Sequence, residues 1–279
     1  MKILIIGGNR FVGKLVSKKL HELGHDLTLM NRTGTSPVQC KVLKCDRNNP
    51  IEFEQAIGDN YYDAIIDMCL YNLTQAKITT SILGHRSQKY IFISSIASYE
   101  ATGYWPIDET APLGGMKCFG DYGSEKAEVE QYLQSIDNFP YIILRPTYII
   151  GKDNHVYREK YYFDQILNSE AVNVGSEKNC VASFVFVEDV AEIICLLTTW
   201  NSLLQQTYNL AGDEHITIEK LIDIISNITA MPYTLQDINE VGKFADTHVI
   251  IDNQKIKQRL NFKFKTLEKG LQEFYEYTY

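Results

Sequence analysis

Residues Lys2 to Gly13 read KILIIGGNRFVG. The unbroken aliphatic run Ile3 to Ile6 suits a strand buried on both faces. Gly7 and Gly8 end it. Phe11, Val12, Leu15, Val16, Leu20 and Leu23 then recur at helical spacing until Gly24. A strand entering a helix through a glycine-rich turn offers backbone N–H groups at the positive end of the helix, where a pyrophosphate can sit. Glycine lets the backbone approach the phosphates with no Cβ in between. The same glycines also fit a tight turn that holds no ligand.

The unit repeats along the first half of the chain. Strand-like runs at 26–30, 41–44, 63–68, 90–94 and 141–144 alternate with helical patterns at 50–57, 73–83 and 122–133. Such alternation predicts an α/β fold with a doubly wound parallel sheet of Rossmann type. Beyond Gly151 the pattern loosens. Helices are expected at 158–168, 189–199 and 217–229, strands at 183–187 and 207–210, and two short helices after 253. The expected division is a nucleotide-binding domain of residues 1–150 plus about 183–212, and a smaller substrate-binding part of about 151–182 and 213–279.

The chain has 279 residues, 45% hydrophobic and 22% charged. That length, at ~150 residues per domain, allows one large or two smaller domains and a core that needs no disulfide or metal. Lys plus Arg number 27 against 35 Asp plus Glu, a formal net charge of −8. The acidic balance disfavours a nucleic-acid partner. No apolar run reaches the ~18 residues of a membrane span, and Ile3–Ile6 is too short for a secretory leader. The six cysteines (Cys40, Cys45, Cys69, Cys118, Cys180 and Cys195) show no Cys-x-x-Cys spacing. They suit reduced thiols in a cytoplasmic protein, and no metal site is expected.

Two further stretches carry chemistry. Tyr122-Gly-Ser-Glu-Lys126 places Tyr122 and Lys126 four apart on one helix face. A phenol has a free pKa near ~10, and a neighbouring ammonium favours the phenolate. Tyr122 is therefore a candidate proton shuttle. An exposed helix carrying an ordinary Lys and a half-buried Tyr would show the same spacing. Ser94-Ser95 ends the fifth strand, on the side where open α/β sheets bind ligands. A serine there can contact a substrate oxygen or simply pair with loop backbone.

In order and spacing these three motifs resemble the extended branch of the short-chain dehydrogenase/reductase superfamily, the NAD(P)-dependent epimerase/dehydratase family. Asp46-Arg47, Ile107–Leu113 (IDETAPL), Arg145-Pro146 and Val187–Ala191 (VEDVA) support the likeness, which spans nearly the whole chain and weakens after about residue 230. Gly-Gly-x-Arg-Phe-x-Gly and Tyr161–Leu167 (YYFDQIL) look like the subgroup that includes the chloroplast stem-loop RNA-binding proteins and their bacterial relatives.

The resemblance implies an NAD(P)-dependent oxidoreductase, epimerase or dehydratase acting by hydride transfer on a small hydroxylated substrate, a sugar or nucleotide sugar, held in a cleft with the C-terminal part. By position, Ser95, four before Tyr99, would polarise the substrate oxygen. Tyr122 would be the acid/base, and Lys126 would tune it and hold the nicotinamide ribose. Gly7, Asn9, Arg10, Phe11, Val12 and Gly13 would cradle the pyrophosphate. Asn31 and Arg32 would meet the adenosine ribose, and Asp46 and Arg47 the adenine. Met68 and Cys69 would line the cleft, with Pro146 and Thr147 beside the nicotinamide. Asp189 matches a family position, though capping of its own helix explains it as well. Homodimer formation through the helices near 73–84 and 122–135 is a further implication.

Two residues depart from the family pattern. Arg10 replaces the middle glycine, so its side chain must turn away from the pyrophosphate or the loop must shift. The acidic residue usual at the end of the second strand is Asn31, followed by Arg32. No carboxylate is then present to repel a 2′-phosphate, which favours NADP(H), unless the arginines are solvated or pair with Asp26 or Asp46. The alternative to an enzyme is a dinucleotide-sensing or RNA-binding module on the same fold.

Overall fold

The computed structural model describes residues 1–200, 204–237 and 243–279. The first unit opens with β1 (Lys2–Ile6), α1 (Phe11–Glu22), β2 (Asp26–Asn31), β3 (Lys41–Lys44) and α2 (Pro50–Ile57). It continues through β4 (Ala64–Asp67), α3 (Leu73–Leu83), β5 (Tyr90–Ile93), α4 (Asp121–Ser135) and β6 (Tyr141–Pro146). Later come β7 (Tyr148–Ile150), α5 (Glu159–Leu167), β8 (Val172–Val174), β9 (Val181–Phe186), α6 (Val187–Thr199) and β10 (Gln206–Leu210). The chain ends with β11 (His215–Thr217), α7 (Ile218–Thr229), β12 (Leu235–Asp237), α8 (Gln254–Leu260) and α9 (Leu267–Thr278).

Seven strands form the main sheet in the order β10-β6-β5-β4-β1-β2-β3. From β3 to β6 every pairing is parallel. The chain leaves β1 towards β2 and β3, then returns to the other side of β1 as β4. The reversal of strand order therefore lies between β1 and β4, and the connections after these two strands flank it. The aliphatic runs are buried as their lack of alternation predicts: Ile3, Leu4, Ile5, Ile65, Ile66, Ile91, Ile142 and Ile143 are 0% exposed.

Local signals set the helix ends. Asn49 caps α2 by accepting from the Glu52 N–H, with Pro50 in the first turn. Asn72 caps α3 through the Gln75 N–H. Leu23, expected on the apolar face of α1, is exposed, because the helix stops at Glu22 and the chain turns at Gly24.

The contacts divide the chain into two compact units. One holds 1–102, 109–146 and 190–208; the other holds 103–108, 147–189 and 209–279. The expected segment 183–212 is thus itself divided, since 183–189 and 209–212 lie in the second unit. The second unit contains a three-stranded sheet, β11-β9-β7, and a pair, β12-β8. Of these strands only β9 had been expected. The others are three residues long, too short to show a period. All six cysteines are free, and among the described residues no helix is long and apolar enough to cross a membrane.

A buried ion pair ties the first unit beneath its sheet end. Arg47 reaches both oxygens of Asp67 at 2.7 and 2.8 Å and also donates to Thr79 Oγ1. The Tyr90 hydroxyl adds a 2.6 Å bond to Asp67. Asp67 is 0% and Arg47 7% exposed. Asp67→Asn should leave the guanidinium buried without a counter-charge and lower unfolding stability by about 3–5 kcal/mol, read from urea denaturation.

Candidate functional site

The β1–α1 turn is built on close approach. Gly7 has φ +87°, and a Cβ there would meet Cys69 Sγ at 3.0 Å and Met68 Cβ at 3.4 Å. A Cβ on Gly13 would lie 2.6 Å from the Gly7 carbonyl oxygen. Only glycine lets α1 start this near the strand end, and Met68 and Cys69 stand beside it. Arg10 has the extended backbone of an N-cap, φ −131° and ψ 153°, but gives no side-chain cap. Its side chain is exposed. Phe11, not residue 10, takes the left-handed φ of 44°, so Arg10 sits where an L-residue is unstrained. The Arg10 side chain thus does not cap the α1 N-terminus, whose partial positive charge suits a phosphate group.

Beyond β2, Asn31 organises a polar cluster. Its carbonyl oxygen accepts from the Thr33 hydroxyl at 2.9 Å and the Gly34 N–H at 2.8 Å. Its amide donates to Asn9 Oδ1 at 3.3 Å, and the Asn9 amide reaches Thr35 Oγ1 at 2.8 Å. Asn9 and Asn31 are therefore brought together. Arg32 is exposed. The Asn48 backbone and side-chain N–H groups, helped by the Arg32 charge, hold the Asp46 carboxyl below its usual range. Asp46 also accepts from Asn48 N and Nδ2 at 3.0 and 2.8 Å. Arg47 does not join this cluster. Its guanidinium pairs with Asp67 instead. Cys69 is half-buried with its sulfur 3.7 Å from Arg47. Burial and the Asp67 charge push its thiol pKa up.

The second cluster is centred on α4. Tyr122 is 41% and Lys126 2% exposed. The Lys126 ammonium donates to the carbonyls of Leu70 at 2.7 Å and Ile93 at 3.0 Å, just beyond β4 and at the end of β5. It lies 5.7 Å from the Tyr122 ring, 5.3 Å from Tyr71 and 4.7 Å from Phe92. Burial brings its pKa down to about 8, against the opposing charges of Asp67 and Glu130. Ser95 is half-buried and starts a 3₁₀ turn, Ile96–Ser98, by accepting from the Ala97 N–H at 3.1 Å. Gly123, next to Tyr122, packs on that turn. A Cβ there would be 2.5 Å from the Ala97 carbonyl oxygen. The structure thus sets Tyr122 and Lys126 on the helix that rests against the Ser95 turn.

Pro146 and Thr147 are both buried. The Thr147 hydroxyl is engaged by the Ser183 carbonyl at 2.9 Å. Asp189 lies inside the first turn of α6 and accepts from the Lys265 N–H at 2.9 Å. It ties two segments together instead of capping its own helix. No group of acidic, His or Cys residues that could hold a metal occurs among the described residues.

Sequence reading missed Glu130 and Ser98. The Ser94 and Ser98 hydroxyls both bond Glu130, Ser98 at 2.9 Å. Arg145 grips Glu130 from Nε at 2.8 Å and from a terminal nitrogen at 2.5 Å. The signal was present, since Tyr122, Lys126 and Glu130 are spaced four and four along one helix face.

The chain belongs to the NAD dependent epimerase/dehydratase family, whose family model matches residues 3–211. It is 24% identical over 306 residues to the chloroplast stem-loop binding protein of 41 kDa b of Arabidopsis thaliana, covering 98% of this chain and 78% of that protein. In fold it is similar to a UDP-glucose 4-epimerase from Thermotoga maritima, solved with UDP-glucose. The TM-score is 0.86 at 20% identity, covering 99% of this chain and 98% of that one. A dTDP-glucose 4,6-dehydratase from Bacillus anthracis, solved with NAD, gives 0.84 at 16% identity over 100% and 97% of the two chains.

Two outcomes test this geometry. Gly123→Ala places a methyl against backbone and should cost about 1–3 kcal/mol of stability by thermal or urea unfolding. The folded pKa of Lys126 lies below the 10.5 of an ordinary lysine. The unfolded chain therefore holds this proton where the folded one has shed it. Stability should rise as pH climbs from about 8 towards 10.5, by at most about 3 kcal/mol. Lys126→Met should lose that rise when denaturation is repeated across the window.

Proposed function

We propose that the chain is an NAD(P)-dependent enzyme that moves hydride to or from a carbon bearing a hydroxyl on a small, sugar-like substrate. The observation that carries this reading is the buried Lys126 ammonium 5.7 Å from the Tyr122 ring, on a helix packed against the Ser95 turn. The β1–α1 turn supports it, with its glycine contacts and a helix N-terminus suited to a pyrophosphate. A bound nicotinamide would supply the hydride acceptor and donor.

The chain's own groups handle the proton and the charge. Tyr122 takes the hydroxyl proton as the carbonyl forms and returns it in the reverse direction. Lys126 favours the phenolate form of Tyr122 through its positive charge. The Ser95 hydroxyl donates to the substrate oxygen as charge develops on it. Asn9, Asn31 and Arg32 offer donors and a positive charge to the adenosine ribose. With no carboxylate at position 31, these residues favour NADP(H) over NAD(H). A nucleotide-sugar substrate is supported by the epimerase and dehydratase relatives.

The test begins with calorimetric titration of the protein by NADPH and NADH, then assays with UDP-glucose and UDP-galactose. Tyr122→Phe should lower turnover by about 10²–10⁴-fold with cofactor affinity nearly unchanged. Undiminished turnover would remove Tyr122 as acid/base. Arg32→Ala should weaken NADPH by about tenfold more than NADH, the scale of one charge-assisted bond. Equal losses would remove the 2′-phosphate contact.

A second reading has one observation in its favour, the likeness to a stem-loop binding protein across 98% of this chain. A salt-sensitive mobility shift with a structured RNA, together with no binding of either nucleotide, would put that reading first.

A further inference from the structure

Glu130 lies two turns along α4 from Tyr122 and one turn from Lys126, on the same face. It is 0% exposed, as is Ser98, while Arg145 is 2% and Ser94 3% exposed. One carboxylate gathers four elements. Ser94 arrives from the end of β5, Ser98 from the 3₁₀ turn, and Arg145 from β6, while Glu130 itself belongs to α4. Ser94 Oγ and Ser98 Oγ donate to the same oxygen, Oε1. These two serines stand on either side of Ser95 in the chain, and the Ser98 hydroxyl also reaches the Ser95 carbonyl at 2.8 Å. Arg145 holds the other oxygen and stacks its guanidinium 4.5 Å from the Tyr99 ring, at the end of the turn.

We propose that Glu130, clamped by Arg145, is a positioning residue that fixes the Ser95 turn against α4 and maintains the charge of Lys126. The inference rests on the reading of Ser95, Tyr122 and Lys126 as the reacting groups. Its geometric half follows from the shared oxygen. Motion of α4 relative to β5 would break the bonds to Ser94 and Ser98, and the turn between them carries Ser95. Its electrostatic half follows from burial. In a low-dielectric setting a carboxylate one turn away stabilises an ammonium that desolvation would otherwise neutralise. The other groups acting on Lys126 are Asp67 and Cys69 from the end of β4 and Arg47 from the β3–α2 connection. The Tyr122, Tyr71 and Phe92 rings lie within 6 Å. Asp67 is paired with Arg47 and Glu130 with Arg145, and Glu130 is the one of the two that shares the helix of Lys126.

The experiment uses the full chain labelled with ¹³Cε-lysine, the Lys126 resonance being assigned by its loss in Lys126→Met. In Glu130→Gln the amide can still accept from the serines but the charge is gone, so the Lys126 titration midpoint should fall by about one pH unit or more. Glu130→Asp keeps the charge and should stay near the wild-type midpoint. A folded Gln variant with the wild-type midpoint overturns the electrostatic half.

If Arg145 without its partner prevents that variant from folding, Ser98 carries the test. In Ser98→Ala the Ala97 N–H, which bonds Ser95 Oγ, should exchange with deuterium about tenfold faster, and Ser98→Thr should restore protection. Unchanged protection in the Ala variant overturns the geometric half. A wild-type Tyr122 that titrates as a free phenol, with neither NADPH nor NADH bound, would instead overturn the functional reading and this inference with it.

Discussion

The bonds from the Lys126 ammonium to the Leu70 and Ile93 carbonyls hold the candidate site together. They join α4 to the ends of two neighbouring strands, β4 and β5. A lysine can make them only by entering the core, and the depressed pKa records what that entry costs. The cost is borne because the carbonyls of Leu70, beyond β4, and Ile93, ending β5, need donors. One side chain therefore satisfies backbone groups left over by the fold and places positive charge beside Tyr122. Structure and chemistry share the same atom.

The same economy shows on the other side of β4. Asp67 ends that strand at 0% exposure, and Arg47, Tyr90 and the Cys69 N–H all converge on it. The pair fixes the β3–α2 and β4–α3 connections, and Cys69 in turn packs against Gly7. The glycine-rich turn thus rests on a wall held in place by a buried charge pair. The Asp67 oxygens and the terminal nitrogens of Arg47 are engaged there, so the wall is buried without being apolar.

Much of this was legible in the sequence, and the limits have physical causes. The long aliphatic strands and the capped helices could be read because each carries its own period or terminal signal. Tyr122 and Lys126 could be paired because helical spacing alone brings them together. The pairing of Arg47 with Asp67 could not be read. Its partner is 20 residues away in sequence, and whether an arginine turns outward to solvent or inward to an acid depends on packing. Glu130 shares the helix face of Lys126, yet its meaning lies in Ser94, Ser98 and Arg145, which only the folded sheet gathers. The departure at Arg10 looked disruptive because the motif expects glycine there. Arg10 has extended backbone and the left-handed φ falls on Phe11, which the sequence does not reveal.

The position of β10 beside β6 bears on how the protein is made. Strand β6 is aliphatic, with Ile142, Ile143 and Leu144 all 0% exposed in the finished fold. Its neighbour is residues 206–210, so the ribosome must deliver β7, α5, β8, β9 and α6 before the sheet can close. During that interval β6 is an open edge of the kind that recruits other chains. The nascent protein is therefore most vulnerable to aggregation between synthesis of these two strands. Truncations that stop short of residue 210 would inherit that exposed edge permanently.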